Sequence, residues 1–283
     1  MDAPPEREDP GRFVAIAARF HALGLHVPEV VEQDLGLGFL LLTDLGEHTY
    51  LPALNPDTVE RLYGDALGAL VTLQAGIFAD PEFLPPYDEA LLRRELAIFD
   101  EWYLGAHLGC VQETAERETL IAVRDVLVRE ALAQGRVWVH RDYHSRNLMV
   151  TSANNPGILD FQDAVTGPIT YDLASLLRDC YIAWPRSRVE AWVLGYYDLA
   201  RQSGLPVPED EGRFLRDFDF MGVQRHLKAA GIFARLNHRD GKPGYLADIP
   251  RTLGYVFEVS RRYPELHALH ALLERLRIPG VSA

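Results

Sequence analysis

Apolar residues recur at helical spacing along much of this chain. Phe13, Ile16, Ala17, Phe20 and Leu23 repeat every three or four positions, which puts them on one stripe of a helix. Asp9 before Pro10 offers a capping carboxylate and a first-turn proline, and Gly24 offers a stop, so a helix is predicted between them. Two short strands are predicted next, at 29–33 and 39–43, joined by the turn-prone Leu35-Gly36-Leu37-Gly38. After Asp44-Leu45-Gly46 the pattern becomes helical, as in the stripe Val59, Leu62, Tyr63, Ala66, Leu67 and Leu70.

The helical region is interrupted between Arg136 and Ala164. Val137-Trp138-Val139 reads as a short strand and 140–147 as a polar loop. Segments 148–151 and 157–160 then read as a hairpin around Ser152-Ala153-Asn154-Asn155-Pro156. Helices are predicted again from near Thr170 to the end. The expected class is α+β: a short β-containing start, then a helical domain with one embedded hairpin.

Composition narrows the function. The 283 residues are 48% hydrophobic and 24% charged, as in an ordinary globular protein. Lys and Arg total 28 against 41 Asp and Glu, a formal charge of −13. Such a surface repels nucleic acid and anionic membrane, both bound mainly through phosphate neutralisation. No apolar run reaches membrane-spanning length, and the acidic, Pro-rich start lacks the basic and apolar stretches of a secretory signal. A cytoplasmic protein is therefore expected. Cys110 and Cys180 are far apart, with no His/Cys cluster, and are expected to be buried thiols rather than a disulfide or zinc site.

The chemistry is concentrated in His140-Arg141-Asp142-Tyr143-His144-Ser145-Arg146-Asn147. Phosphoryl transfer from ATP needs a carboxylate to orient the attacking hydroxyl and accept its proton, plus oxygen ligands that hold Mg2+ against the phosphates. Asp142 suits the first task, and Asn147 suits the second through its amide oxygen. Asp160, at the end of the apolar run Ile158-Leu159, suits the second metal position. An isolated H-x-D-x-x-x-x-N arises by chance in about one chain in a hundred of this length, and the strand, loop and hairpin around it lower that figure. His140 is expected to pack and hydrogen-bond under the loop.

The run from Val139 to Val150, followed by Gly157-Ile158-Leu159-Asp160-Phe161-Gln162-Asp163 and by Gly167-Pro168-Ile169-Thr170-Tyr171-Asp172-Leu173-Ala174, resembles the aminoglycoside phosphotransferase and choline kinase branch of the protein-kinase-like fold. Within that branch these phrases, with Gln224-Arg225-His226-Leu227-Lys228 and its continuation to Leu236, resemble the bacterial kinases of cell-wall amino sugars. Those enzymes phosphorylate the anomeric hydroxyl of N-acetylmuramate and N-acetylglucosamine for peptidoglycan recycling. The resemblance implies ATP and Mg2+ as cofactors and a small amino sugar as partner. It implies a two-lobe fold, with residues 1–46 the remnant of a nucleotide-binding lobe and its hinge. Residues 47–283 would form the helical lobe. It implies that Asp172 braces the catalytic loop and that Thr43, Asp44 and Leu45 meet the nucleotide. His144, Gln162, Asp163, Arg225 and Lys228 become candidates for the sugar side, the two cations because N-acetylmuramate carries a carboxylate.

The start departs from the family pattern. Met1-Asp2-Ala3-Pro4-Pro5 resembles the end of the third small-lobe strand, and the first lysine is Lys228. A truncated small lobe is therefore expected, lacking its glycine-rich hairpin and leaving an unpaired edge on the two strands. Two other functions stay open at this point. One is a kinase of an aminoglycoside or other small alcohol; the other is a catalytically impaired, kinase-like binding protein.

Overall fold

The computed structural model describes residues 1–4, 6, 9–110 and 113–276. Pro5, part of the run likened to a small-lobe strand, lies outside them. In chain order the chain forms helix α1 (Pro10–Ala22), strands β1 (Val30–Asp34) and β2 (Phe39–Leu42), and helices α2 (Tyr50–Ala53), α3 (Val59–Ala75) and α4 (Glu89–Ile98). A π-helical segment, Phe99–His107, continues α4 and leads to α5 (Thr114–Leu132). Strands β3 (Arg136–Val139), β4 (Leu148–Met149), β5 (Gly157–Ile158) and β6 (Val165–Pro168) follow. Helices α6 (Tyr171–Leu177), α7 (Arg186–Gln202), α8 (Glu211–His238), α9 (Ile249–Arg262) and α10 (His267–Arg275) complete the described chain. None of the described helices is long and apolar enough to cross a membrane.

The chain divides into two compact units. The first comprises Met1–Pro86, Arg136–Leu176 and Gly195–Val207. Its opening helix begins where local chemistry dictates: the Asp9 carboxylate accepts the Arg12 N–H at 3.2 Å, Pro10 needs no N–H partner, and Gly24 takes φ +83° just past the end. Strands β1 and β2 pair antiparallel from Asp34↔Phe39 to Val30↔Leu42, with an irregularity at Val31. Met1–Ala3 lie along the other side of β2, where the Ala3 N–H reaches Gly38 O at 2.9 Å and the Leu40 N–H reaches Met1 O at 3.1 Å. The expected open edge is thus covered on the β2 side by the first residues of the chain. The outer edge of β1 has no strand partner among the described residues.

Strand β3 pairs antiparallel with β6, from Arg136↔Pro168 to Val139↔Val165, and β4 pairs with β5. Trp138, Tyr143 and Phe161 are fully buried here. Phe13 stacks on Phe161 at 4.8 Å, and Phe20 meets both Phe161 and Trp138. Gly76 is required by the Trp138 ring, since a Cβ at that position would stand 2.3 Å from it.

The second unit comprises Tyr87–Gly135, Leu177–Leu194 and Pro208–Ala283, of which 277–283 lie outside the described residues. It is organised around α8, capped by Asp210, whose carboxylate takes the N–H groups of Gly212 and Arg213. Gly231 lets α8 press directly on the backbone where α4 gives way to the π-helical segment; a Cβ there would lie 2.6 Å from the Ile98 carbonyl. Cys180 is buried, whereas Cys110 is half-exposed, which corrects the expectation of two buried thiols. Cys110 sits just past the end of the π-helical segment, outside the helix faces that bury their apolar side.

Candidate active site

The loop at 140–147 is delivered by β3, whose Val137, Trp138 and Val139 are all buried and anchor its entry. It returns to the fold through β4. Arg141 turns the chain at φ +79° and Asp160, just beyond β5, does so at φ +64°. A non-glycine residue in this region costs about 1–3 kcal/mol and persists only when its surroundings demand it. Here two backbone N–H groups explain the first turn. The buried Asp172 carboxylate, in the first turn of α6, accepts His140 N–H at 2.6 Å and Arg141 N–H at 2.9 Å.

His140 links the two halves of the site. Its Nδ1 accepts the Asp142 N–H at 3.2 Å, so Nε2 carries the proton and donates to Leu159 O at 2.9 Å. Burial pushes its pKa down to about 4, which keeps the ring neutral at physiological pH. This histidine therefore holds the base of the Asp142 segment to the residue before Asp160.

Asn147 and Asp160 meet side by side. The Leu159 N–H donates to Asn147 O at 2.9 Å. Asn147 Nδ2 donates both to Asp142 O at 3.0 Å and to Asp160 Oδ2 at 3.1 Å. The Asp160 residue is exposed. An acidic oxygen pair beside an amide oxygen is a hard donor set of the kind Mg2+ uses. No three His, Cys, Asp or Glu converge among the described residues; a Mg2+ ion that also takes phosphate and water oxygens needs only one or two protein carboxylates.

Thr43 closes the β1–β2 pair, its N–H reaching Glu29 O at 3.0 Å and its hydroxyl accepting the Glu29 N–H at 2.9 Å. The Asp44 carboxylate folds back on the Gly46 N–H at 2.9 Å, and Leu45 lies against Gly157, where a Cβ would come 3.0 Å from Leu45 Cδ1. All three belong to the same unit as the loop. His144 is half-buried and its N–H caps the Asp142 carbonyl at 3.0 Å. Asp163 is exposed, and its carbonyl accepts Arg141 Nη1 at 3.4 Å. Gln162 donates from Nε2 to Asp160 Oδ1 at 2.8 Å.

Arg225 and Lys228 lie on α8, in the second unit. Lys228 Nζ pairs with Glu95 Oε1 at 2.8 Å, and the other Glu95 oxygen takes Gln224 Nε2 at 3.2 Å and the Tyr87 hydroxyl. Arg225 is buried beside the Cys180 thiol. Sequence reasoning passed over Arg12, whose Nη2 donates to Ala164 O at 3.0 Å and ties α1 to the segment after Asp160. Its only signal was a helical position four residues before Ile16, on the same face of α1.

Fold and site together define a phosphotransferase of the protein-kinase-like class, and the chain belongs to the phosphotransferase enzyme family, which matches residues 1–209. It is 50% identical over 277 residues to an N-acetylmuramate/N-acetylglucosamine kinase of Pseudomonas putida, an alignment covering 98% of this chain and 81% of that one. Among solved structures it is similar to a choline kinase from Streptococcus pneumoniae, with TM-score 0.62, 13% identity and coverage of 89% and 80%. It is also similar to an ADP-bound aminoglycoside phosphotransferase, with TM-score 0.56, 15% identity and coverage of 87% and 81%. These structures share its fold: the α+β, aminoglycoside phosphotransferase-type arrangement.

Proposed function

We propose that this chain is an ATP-dependent, cytoplasmic kinase that phosphorylates the anomeric hydroxyl of N-acetylmuramate and N-acetylglucosamine. The observation that carries the substrate is the 50% identity, over 98% of the chain, to the Pseudomonas putida kinase of those sugars. In this reading residues 1–46 serve the nucleotide, with Thr43, Asp44 and Leu45 at its hinge.

Asp142 orients the sugar hydroxyl and takes its proton as the sugar oxygen bonds to the γ-phosphorus of ATP, while the bond from that phosphorus to the bridging oxygen breaks and ADP leaves with the electron pair. Asn147, through its amide oxygen, and Asp160, through its carboxylate, hold Mg2+, which supplies charge neutralisation on the ATP phosphates. Asp172 and His140 fix the backbone that presents Asp142. Catalysis of this kind rests on positioning and electrostatics rather than on a strongly perturbed base.

The test is a substrate panel followed by ADP release. Turnover with the two amino sugars, and none with choline or an aminoglycoside, is the expected result. Turnover confined to choline or an aminoglycoside overturns the sugar assignment, and turnover with none of them overturns the kinase reading.

A further inference from the structure

The carboxylate of Asp160 is held at both oxygens by neutral amides. Asn147 Nδ2 donates to Oδ2 at 3.1 Å and Gln162 Nε2 donates to Oδ1 at 2.8 Å. A carboxylate otherwise rotates freely about its Cβ–Cγ bond, and Asp160 lies on an exposed turn where packing does little to stop it. Two donors on opposite oxygens fix that plane. Because both are uncharged, they leave the full negative charge in place for a cation, and each oxygen keeps a second lone pair.

Gln162 is well placed for this task. It follows Asp160 by two residues and is half-buried, and the ring between them, Phe161, is clamped by Phe13 and Phe20. Two residues further on, Arg12 Nη2 donates to the Ala164 carbonyl at 3.0 Å, which holds the segment after Gln162 against α1. The amide nitrogen of Gln162 is thereby committed to Asp160.

We infer that Gln162 is a positioning residue, which orients the Asp160 carboxylate for a divalent cation rather than contacting the sugar. This rests on the reading of Asn147 and Asp160 as the cation site. Hydrogen bonds to a ligating carboxylate set metal affinity, and removing such a partner costs about 10–100-fold.

The experiment uses the full chain and Mn2+ as a paramagnetic probe, titrated in the presence of ADP and read by electron paramagnetic resonance. Gln162→Met keeps the length of the side chain and removes the donor; Gln162→Leu removes it with a different shape. Both variants are expected to bind Mn2+ about tenfold more weakly than wild type. Their Mg2+ requirement for turnover should rise in parallel, with the KM for sugar within twofold of wild type. Unchanged Mn2+ affinity with a raised sugar KM would overturn the inference and place Gln162 on the substrate. A wild-type protein that binds no Mn2+ would instead sink the cation site itself, a failure distinct from that of Gln162.

Discussion

The Asp172 carboxylate accepts the backbone N–H of His140 at 2.6 Å and that of its neighbour Arg141 at 2.9 Å. One fully buried side chain at the start of α6 thus sets the backbone that carries Asp142. Hydrogen bonds to a charged acceptor contribute about 1.5–3 kcal/mol each. Asp172→Asn replaces one acceptor oxygen by an NH2 group facing an N–H. It is expected to lower stability by about 3 kcal/mol, and to reduce kcat in the protein that still folds. Urea unfolding and steady-state kinetics check this; a variant with wild-type stability and kcat would contradict it.

Lys228 and Glu95 form a buried pair, with side chains only 11% and 4% exposed. Removing one partner of such a pair costs about 3–5 kcal/mol because the other charge is left without its counter-ion. Lys228→Met is expected to destabilise by that amount, and Glu95→Gln combined with Lys228→Met to recover part of it. The KM values for N-acetylmuramate and N-acetylglucosamine should move together. A rise confined to N-acetylmuramate, which alone has the carboxylate, would show instead that Lys228 binds substrate.

Acid should weaken the fold through two histidines. Burial holds His140 at about 4 and His226 at about 3, against about 6.5 when unfolded. Between those values the unfolded chain binds protons that the folded chain refuses, so stability is complete above the unfolded value and falls as pH drops. Each histidine is expected to remove about 2 kcal/mol between pH 7 and pH 5. Asp217 acts in the opposite sense: burial outweighs Arg213 and holds it up at about 6, so its protonation returns about 1 kcal/mol over the same interval. A lower urea midpoint at pH 5 than at pH 7 is predicted, and an equal or higher one would contradict the assignment.

Gly231 offers a packing test. A Cβ there meets backbone atoms of Ile98 and Phe99 at 2.6–2.7 Å, which cannot swing aside like a side chain. Gly231→Ala is expected to destabilise by about 1–3 kcal/mol through overpacking, despite alanine's better helix propensity. Thermal unfolding reads the sign directly, and a stabilised variant would refute the close approach.

How much of this was legible in the sequence depends on how local each feature is. Helix α1 was readable because Asp9, Pro10 and Gly24 are its own punctuation. The loop was readable because His140, Asp142 and Asn147 lie within eight residues, and β4 with β5 because they form a short hairpin. Strand β6 was not, since Val165-Thr166-Gly167-Pro168 carries turn residues and becomes a strand only by pairing with β3. The cover that Met1–Ala3 give β2 depends on a contact across more than thirty residues. The Lys228–Glu95 pair was hidden for the same reason, because the helix face of Lys228 is visible in the sequence and its counter-ion is not. Gln162 drew notice as a polar residue close after Asp160; which of its neighbours it would bind needed coordinates.

The central claim is that Asp142, presented by this loop, drives phosphoryl transfer to an amino sugar. Phosphorus NMR of a reaction holding the protein, ATP, Mg2+ and N-acetylmuramate tests it most directly. The predicted result is one sugar 1-phosphate formed for each ADP, with the rate reduced at least about 100-fold in Asp142→Asn while nucleotide affinity is kept. Unconsumed ATP in the wild-type reaction, or Asp142→Asn turning over at the wild-type rate, would contradict it.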